Sequence, residues 1–171
     1  MAKSTRIFLI GMMGSGKSYW MQQLSGQLNI HGYDLDALIE TACHSSISKI
    51  FEEHGEPFFR ENETAVLRSF AAKENFILAT GGGTPCFNDN MRWMNANGIT
   101  VWIDEPVDIL AERLVPEKPH RPLIAGMADE QLPEFLQQKR NERTSFYSQA
   151  TFHIQHPVTK DSFTSIINQY V

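Results

Sequence analysis

Residues 11–18 read Gly11-Met12-Met13-Gly14-Ser15-Gly16-Lys17-Ser18 and match the phosphate-binding pattern G-x-x-x-x-G-K-[ST]. A short apolar run, Arg6 to Ile10, comes directly before the pattern. The segment Lys17 to Leu28 follows it and places Met21, Leu24 and Leu28 at helical spacing. The pattern therefore lies between a predicted strand and a predicted helix, and in this context it is highly specific for phosphate binding.

The residue types of this turn suit an anionic ligand. Glycines 11, 14 and 16 allow positive φ angles and a close approach of the backbone to a phosphate. Amides at the start of the helix point at the anion, and the helix dipole adds to the attraction. Lys17 supplies a positive charge for the β- and γ-phosphates, and the Ser18 hydroxyl is placed to ligate magnesium. We expect the Lys17 side chain to be partly exposed while no phosphate is bound.

Further short apolar runs predict an α/β fold with a parallel sheet. Helical patterns, such as the one from Phe59 to Phe70, separate the runs, and this alternation is typical of strands joined by crossover helices. The four further predicted strands are Ile30 to Tyr33, Phe76 to Ala79, Ile99 to Ile103 and Phe152 to Ile154. The five strands stop at Gly11, Asp34, Gly81, Asp104 and Gln155. These positions share one edge of a parallel sheet, where open α/β folds bind ligands.

The composition indicates one compact domain over residues 1–171. The chain has 42% hydrophobic and 20% charged residues, and its net charge is −5. This charge disfavours nucleic-acid binding, and no apolar run approaches the roughly 20 residues of a membrane helix. Cys43 and Cys86 form no metal-binding pattern and are expected to be free, reduced thiols. His153 and His156 do not share a helix face, which disfavours a metal role. We expect a cytoplasmic protein without a targeting segment.

The segment Val115 to Gly126 interleaves prolines with charged residues and resists both helix and strand. Irregular segments of this length in compact domains are often lids or binding loops, so we expect it to be mobile. An ordinary surface connection is the alternative that the local sequence leaves open.

Several side chains at or near the predicted ligand edge are candidates for chemistry. Asp34 and Asp36 end the second strand, and residues two apart on an extended segment face the same way. One carboxylate could reach magnesium, usually through its water, and the other could accept a hydrogen bond from an acceptor hydroxyl; alone, the pair could also be a solvated turn. Residues Gly81 to Gly83 leave room for a ligand or form a plain flexible loop. Arg60 opens a helix that starts near Pro57, with Glu63 able to pair with it, and Arg143 lies on a later helix.

In combination, these residues resemble the shikimate kinase family, a small branch of the nucleoside monophosphate kinase-like P-loop proteins. The resemblance spans nearly the whole chain, in order and spacing. It rests on residues 11–18, Asp34-Leu35-Asp36, Ser46-Ile47 with Ile50-Phe51, Gly55-Glu56-Pro57-Phe58-Phe59-Arg60 with Glu63, Gly81-Gly82-Gly83, Arg121-Pro122-Leu123, and Arg143 with Tyr147.

The resemblance implies transfer of the ATP γ-phosphoryl group to the 3-hydroxyl of shikimate, a step of aromatic amino acid biosynthesis. It implies that Asp36 binds that hydroxyl and that Asp34 joins Ser18 in the magnesium shell, through water. Arg60 and Arg143 would clamp the shikimate carboxylate, since a guanidinium matches two oxygens. Glycines 81 to 83 would line the shikimate pocket. Lys17, Asp36 and Arg121 would be catalytic, Arg121 swinging over the phosphates on the lid and excluding water.

The same resemblance implies a three-layer fold: a five-stranded parallel sheet of order 2-3-1-4-5, flanked by helices. Residues 34–61 would bind shikimate and residues 115–126 would form the lid of a monomer. Arg113 and Pro157 stand where the family packs adenine. Thr144-Ser145 departs from the family, which has a proline-containing run after the substrate arginine. The residues implied to bind ATP are Gly14, Ser15, Gly16, Lys17, Ser18, Tyr19 and Arg121.

Three other functions share parts of this pattern. A gluconate kinase is built on the same turn, but the set Arg60, Gly81 to Gly83 and Arg143 disfavours it. A nucleoside monophosphate kinase needs a second base pocket, for which the sequence gives no sign. A nucleotide-binding module without transfer activity stays open, because it would not require Asp36 and the arginines to meet the phosphate-binding turn.

Overall fold

The computed structural model describes residues 4–170 and contains a five-stranded parallel sheet of order β2-β3-β1-β4-β5. The predicted strand order is thereby confirmed. The predicted strands agree with the observed ones to within one or two residues at each end. The strands are β1 (Arg6–Ile10), β2 (Gly32–Asp34), β3 (Phe76–Ala79), β4 (Ile99–Asp104) and β5 (Phe152–Gln155).

Seven α-helices connect and flank these strands within the described residues. The helix predicted after the phosphate-binding turn runs from Lys17 to Leu28, as the apolar spacing indicated. The helices are α1 (Lys17–Leu28), α2 (Leu35–Cys43), α3 (Ile47–Ser69), α4 (Asn90–Asn97), α5 (Val107–Leu114), α6 (Leu132–Tyr147) and α7 (Lys160–Tyr170).

The central strand β1 is buried on both faces, which gives the fold its three layers. Phe8 and Ile10 point to the side covered by helices α2 to α6. Ile7 and Leu9 point to the opposite side, where α1 and α7 pack. Because successive side chains of a strand face opposite ways, a nearly continuous apolar run is what a doubly covered strand requires.

Helix α3 is interrupted at Gly55, whose φ of 80° and ψ of 174° are not helical. Pro57 comes two residues later, at the start of the second helical segment, where its missing N–H leaves no hydrogen bond unmade. This segment, predicted to start near Pro57, carries Arg60 and Glu63. The break therefore sets the direction from which both side chains enter the ligand edge.

The prediction that Asp34 and Asp36 lie together on an extended segment is wrong. Strand β2 ends at Asp34, and α2 begins at the next residue. Asp34 caps this helix, because its Oδ1 accepts a hydrogen bond from the Ala37 amide at 3.3 Å. Asp36 lies in the first helical turn. The capping geometry places the two carboxylates near each other although they do not share a strand face.

The Val115–Gly126 segment contains neither α-helix nor strand, but residues Val115–His120 form a 3₁₀ helix. Prolines 116 and 119 are compatible with such a short, tight helix, which the sequence analysis did not predict. Cys43 and Cys86 are free, as predicted. No helix in residues 4–170 is long and apolar enough to cross a membrane.

Candidate active site

The phosphate-binding turn has the backbone conformation that its glycines predict. Gly11, Gly14 and Gly16 have φ angles of 144°, 78° and 94°. At Gly11 a Cβ atom would lie 2.5 Å from the Ile103 carbonyl oxygen, so glycine is required there by both φ and space. Gly16 precedes the first residue of α1, and residues of the turn and of the helix start line a surface cavity.

Lys17 is buried, so the expectation of a partly exposed side chain is wrong. Its exposed fraction is 9%. The Nζ atom donates hydrogen bonds of 2.8 Å to the carbonyl oxygens of Gly11 and Met12, so the side chain folds back across its own turn. Burial lowers the pKa of Lys17 from its usual value to about 7, and the nearby charges of Arg121 and Arg143 add to this effect against the opposing charge of Asp36.

Ser18 and Asp34 place two oxygen donors side by side beneath the turn. The Ser18 hydroxyl donates to Asp34 Oδ2 at 2.6 Å. No cluster of three or more His, Cys, Asp or Glu residues that could hold a metal occurs within residues 4–170. A hydroxyl with one carboxylate still suits Mg²⁺, which prefers oxygen ligands and obtains most of them from water and substrate phosphates. The donor set therefore fits a magnesium ion that arrives with a nucleotide.

Asp36 is an exposed residue whose carboxyl group is partly desolvated at the centre of the site. This desolvation raises its pKa from the usual value to about 6, and the neighbouring charges of Asp34 and Glu63 raise it further against the opposing charges of Lys17 and Arg121. A carboxylate with this pKa is mostly ionised at pH 7 and binds a proton more readily than an ordinary aspartate does. Such a group is suited to accept a hydrogen bond, or a proton, from a hydroxyl.

Two cavities open at the ligand edge and meet at Asp36. The first has a volume of about 850 Å³ and contains the phosphate-binding turn with Lys17 and Ser18. The second, of about 590 Å³, contains Arg60 and Arg143. The residues that line both cavities are Met13, Asp34, Asp36, Gly81, Gly82 and Arg121. We call the first the turn cavity and the second the arginine cavity.

Arg60 is held in the arginine cavity by two carboxylates. Its Nη1 donates to Glu63 Oε1 at 2.9 Å, and its Nε and Nη2 both donate to Glu56 Oε1 at 3.2 Å. Glu63 has a side-chain exposure of 1% and accepts a second hydrogen bond from Thr84 Oγ1 at 2.8 Å. The predicted pairing of Arg60 with Glu63 is therefore present, and it fixes the direction of the guanidinium.

Arg143 is a nearly buried cation without a counter-anion. Its exposed fraction is 8%, and it forms no ion pair with any residue from 4 to 170. Its Nη1 lies 3.9 Å from the Met12 sulfur, a weak acceptor. Buried charges in proteins are normally paired. The unpaired guanidinium therefore indicates that this cavity is built for an anion.

The three consecutive glycines lie directly against both guanidiniums. A Cβ atom at Gly82 would lie 2.9 Å from Arg143 Nη1, and one at Gly83 would lie 2.6 Å from Arg60 Nη2. The Gly82 carbonyl also accepts a hydrogen bond from the Tyr147 hydroxyl, whose pKa is raised by burial. The fold thus brings Arg60 and Arg143 from two distant helices to the same glycine backbone. The glycines serve to admit these arginines, a role that the sequence analysis did not identify.

Of the remaining predicted residues, Arg121, Tyr19 and Arg113 line the turn cavity, whereas Ser15 is buried and, like Pro157, does not line it. Arg121 borders both cavities and donates to Glu117 Oε2 through Nε at 3.0 Å and Nη2 at 2.7 Å. Tyr19 is exposed at the rim, and Arg113 donates to the Gly14 carbonyl oxygen at 3.1 Å. Pro157 is not among the lining residues, whereas its neighbour Val158 is.

Glu105, a buried acid in the wall of the turn cavity, was not predicted as a site residue. It directly follows Asp104, the residue at which β4 was expected to stop, and this doubled acid was the available signal. The two carboxylates contact His153 and His156, the two histidines for which a metal role was disfavoured. Asp104 contacts His153 at 2.9 Å, and Glu105 contacts His156 at 2.5 Å.

Comparison with known proteins identifies a family. The family model described as shikimate kinase matches residues 13–171. A shikimate kinase of Parabacteroides distasonis is 39% identical over 165 residues, which cover 95% of each chain. The crystal structure of the shikimate kinase from Bacteroides thetaiotaomicron superposes with a TM-score of 0.87 at 37% identity, covering 96% of this chain and 95% of that one. The shikimate kinase from Acinetobacter baumannii in complex with shikimate gives a TM-score of 0.87 at 30% identity, with coverages of 97% and 92%.

Proposed function

The chain belongs to the shikimate kinase family, and we propose that it transfers the γ-phosphoryl group of ATP to the 3-hydroxyl of shikimate, giving shikimate 3-phosphate and ADP. The observation that carries this proposal is the junction of the two cavities at Asp34, Asp36 and Arg121. A nucleotide bound on the turn and an acid bound by the arginines would meet there. Residues 34–61 would then form the shikimate-binding region and residues 115–126 the lid.

The turn cavity would bind the phosphates of ATP through Gly14 to Ser18, with Tyr19 at its rim. Lys17 has its pKa lowered to about 7 in the free protein, largely by burial. The negative phosphates would favour its protonated form and attract Nζ from the carbonyl oxygens of its own turn. Ser18 and Asp34 would hold a magnesium ion, Asp34 through water, and the ion would neutralise phosphate charge.

The arginine cavity would bind the carboxylate of shikimate. Arg143 lacks an anionic partner within the described residues, and Arg60 is oriented by Glu56 and Glu63. Two guanidiniums that converge on one carboxylate provide planar, charge-assisted hydrogen bonds, which lysine could not match. This arrangement would fix the acid end of the substrate and present its hydroxyls toward Asp36.

Asp36 would accept a hydrogen bond from the 3-hydroxyl and take its proton as the reaction proceeds. The hydroxyl oxygen forms the new bond to the γ-phosphorus, and the bond from that phosphorus to the β–γ bridging oxygen breaks. The electron pair leaves with ADP, and the proton moves to Asp36, whose pKa is raised to about 6. Arg121 would leave Glu117 for the phosphates, where its charge favours the transition state and excludes water.

The alternative acceptors can be separated in one assay. ADP release is measured with magnesium-ATP and shikimate, gluconate or AMP in parallel. We expect stimulation by shikimate alone. AMP has no carboxylate for the paired arginines, and the set Arg60, Gly81 to Gly83 and Arg143 disfavours gluconate. Stimulation by gluconate or AMP alone would replace the proposal. A folded, ADP-binding sample that responds to none of the three would favour a nucleotide-binding module.

We also propose that the enzyme is cytoplasmic and acts as a monomer whose partners are ATP and shikimate, without nucleic acid or membrane. Both substrates are small and water-soluble, and both proposed cavities are lined by residues of one chain. Light scattering on the purified protein measures the oligomeric state, and a dimer would contradict that part of the proposal.

A further inference from the structure

Glu105 lies just beyond the end of β4 and joins two separate walls of the turn cavity. Its side chain is only 3% exposed. One carboxylate oxygen, Oε1, accepts a hydrogen bond from Arg113 Nη2 at 3.2 Å, and the other, Oε2, lies 2.5 Å from His156 Nδ1. Since an ionised carboxylate only accepts hydrogen bonds, His156 donates through Nδ1. Each oxygen of this buried acid therefore has its own partner.

Arg113 connects Glu105 to the phosphate-binding turn. The same guanidinium that donates Nη2 to Glu105 donates Nη1 to the carbonyl oxygen of Gly14 at 3.1 Å. The Arg113 side chain is 44% exposed and lines the turn cavity. A half-exposed arginine without a fixed partner would populate many rotamers, and a ligand would have to order it at an entropic cost. The buried carboxylate removes most of this freedom before a ligand arrives.

His156 connects Glu105 to the wall that follows β5. Its backbone N–H donates to the Asp104 carbonyl oxygen at 3.1 Å, which continues the pairing of β4 with β5. Two residues later Val158 lines the turn cavity. Through its two oxygens Glu105 thus fixes a side chain of α5 and the start of the loop after β5, on either side of the same cavity.

We propose that Glu105 is a positioning residue for the nucleotide, acting through Arg113 and His156 to keep the turn cavity in its ligand-binding shape. The proposal rests on the proposed function, in which this cavity takes ATP and releases ADP. The proposal predicts different effects on the binding of the two substrates, because Glu105 does not line the arginine cavity. Loss of its charge should therefore weaken nucleotide binding and leave the acid substrate unaffected.

The adjacent Asp104 provides a matched control. It too carries a nearly buried carboxylate that binds an arginine and a histidine: Arg140 donates to both of its oxygens at 2.9 and 3.0 Å, and His153 contacts Oδ2 at 2.9 Å. Asp104 does not line the turn cavity. The variants Glu105→Gln and Asp104→Asn thus make the same chemical change at neighbouring positions, but only the first acts on the turn cavity.

The experiment measures the affinity for magnesium-ADP by calorimetry and the KM values for ATP and shikimate. In Glu105→Gln we expect ADP affinity to fall about fivefold to tenfold, the scale of one partly exposed charge-assisted hydrogen bond, with a matching rise in the KM for ATP. The KM for shikimate and kcat should stay within about twofold. Asp104→Asn should leave ADP affinity within about twofold of the parent.

A double-mutant cycle separates positioning from a general structural role. Because Glu105 acts through both Arg113 and His156, Glu105→Gln should change ADP affinity by less than about twofold in a background that carries Arg113→Met and His156→Asn. Full additivity of Glu105→Gln with that background, or unchanged ADP affinity in Glu105→Gln alone, would overturn the proposal. If Glu105→Gln does not fold, the half-exposed His156→Asn variant replaces it, and ADP affinity equal to that of the parent would then overturn the proposal.

The parent protein separates this inference from the proposed function. A parent that binds ADP, and that forms ADP from magnesium-ATP when shikimate is added, supports the function, whatever the Glu105 variant does. A parent that binds ADP but does not respond to shikimate contradicts the function, while the Glu105 comparison still decides between positioning and no role in nucleotide binding. A folded parent that does not bind ADP overturns both.

Discussion

Lys17 is buried and the nearby Asp36 is partly desolvated, and their pKa values move in opposite directions. Asp36 has a pKa raised to about 6, so between its ordinary value and pH 6 the folded chain retains a proton that the unfolded chain has lost. Stability therefore falls as pH rises through that window. Lys17 has a pKa lowered to about 7, so stability rises with pH from about 7 toward the ordinary lysine value. Near neutral pH both groups oppose folding in the free protein.

Replacing Asp36 should lower the turnover of the enzyme and raise its unfolding midpoint. In Asp36→Asn we expect turnover to fall at least about a hundredfold, because the hydroxyl loses its acceptor, while ADP affinity changes little. The midpoint of thermal unfolding at pH 8 should rise, because a partly desolvated negative charge is gone, and the difference from the parent should shrink toward pH 4, where Asp36 is protonated. Thermal unfolding and turnover at several pH values test this. A variant that is less stable than the parent at pH 8 would contradict it.

The two arginines should have equal importance for shikimate and unequal importance for stability. Removing either one loses charge-assisted hydrogen bonds of roughly 1.5 to 3 kcal/mol, or about a ten- to hundredfold fall in kcat/KM for shikimate. Arg60→Ala also leaves Glu63 buried without its cation and should lower the unfolding midpoint. Arg143→Ala removes a buried cation that has no ion pair in residues 4–170 and should not lower it.

Separate titrations of shikimate and ATP, together with unfolding curves, test these arginine variants. ATP affinity should change little in either, and Arg60→Lys should restore binding only in part, because an ammonium cannot make the planar contact. If shikimate binds to both alanine variants as well as to the parent, the carboxylate is held elsewhere in the protein.

At the level of elements, the site depends on how closely the loop after β3 approaches α3 and α6. A Cβ atom at Gly83 would lie 2.6 Å from the Arg60 guanidinium. We therefore expect Gly83→Ala to displace Arg60 and to raise the KM for shikimate about tenfold or more, with little change in the KM for ATP. Steady-state kinetics with each substrate varied in turn provide the measurement.

Gly26 offers a matched control for this glycine substitution. It lies within α1, and a Cβ atom there would meet nothing within 4 Å. Gly26→Ala should leave both KM values unchanged and raise the free energy of unfolding by about 0.5 to 1 kcal/mol, since alanine is the better helix former. Equal loss of shikimate binding in both variants would show that the effect at Gly83 is not local.

At the scale of the whole molecule, the proposed reaction would require residues 115–126 to act as a lid that connects the two cavities. Arg121 borders both of them and is bound by Glu117 of the same segment in this structure. Lys118 ties the base of this segment to the Met127 carbonyl oxygen at 2.6 Å and to the Asp129 carboxylate. This arrangement leaves Arg121 free to exchange Glu117 for the more highly charged phosphates while the base of the lid stays in place.

Hydrogen exchange should report this movement. We expect amide exchange in residues 115–126 to slow by at least about threefold when magnesium-ADP and shikimate are both present, because closure orders the segment. Helix α4 lines neither cavity and serves as the internal reference, with no change expected. Identical exchange of the lid with and without ligands would contradict a closing motion.

Local sequence determined the elements and the phosphate-binding turn. The glycines, Lys17 and Ser18 act within eight consecutive residues, so the chemistry of the turn depends on backbone conformations that those residues themselves favour. The strands of the sheet could be read from apolar runs, because a strand covered on both faces tolerates few polar residues. The order of the strands was predicted only through resemblance to a family, since pairing between distant segments leaves no local pattern.

Only the tertiary structure decided which charged side chains are buried and which partners they contact. The burial of Lys17 follows from two carbonyl oxygens that only the folded turn presents to its ammonium. Asp34 became a helix cap rather than the end of a longer strand, because α2 begins one residue later. Arg143 has no anionic partner among residues 4–170, and Glu105 is placed between two cavity walls through contacts across distant segments. Burial and pairing of charge depend on packing in three dimensions, and sequence spacing does not contain that information.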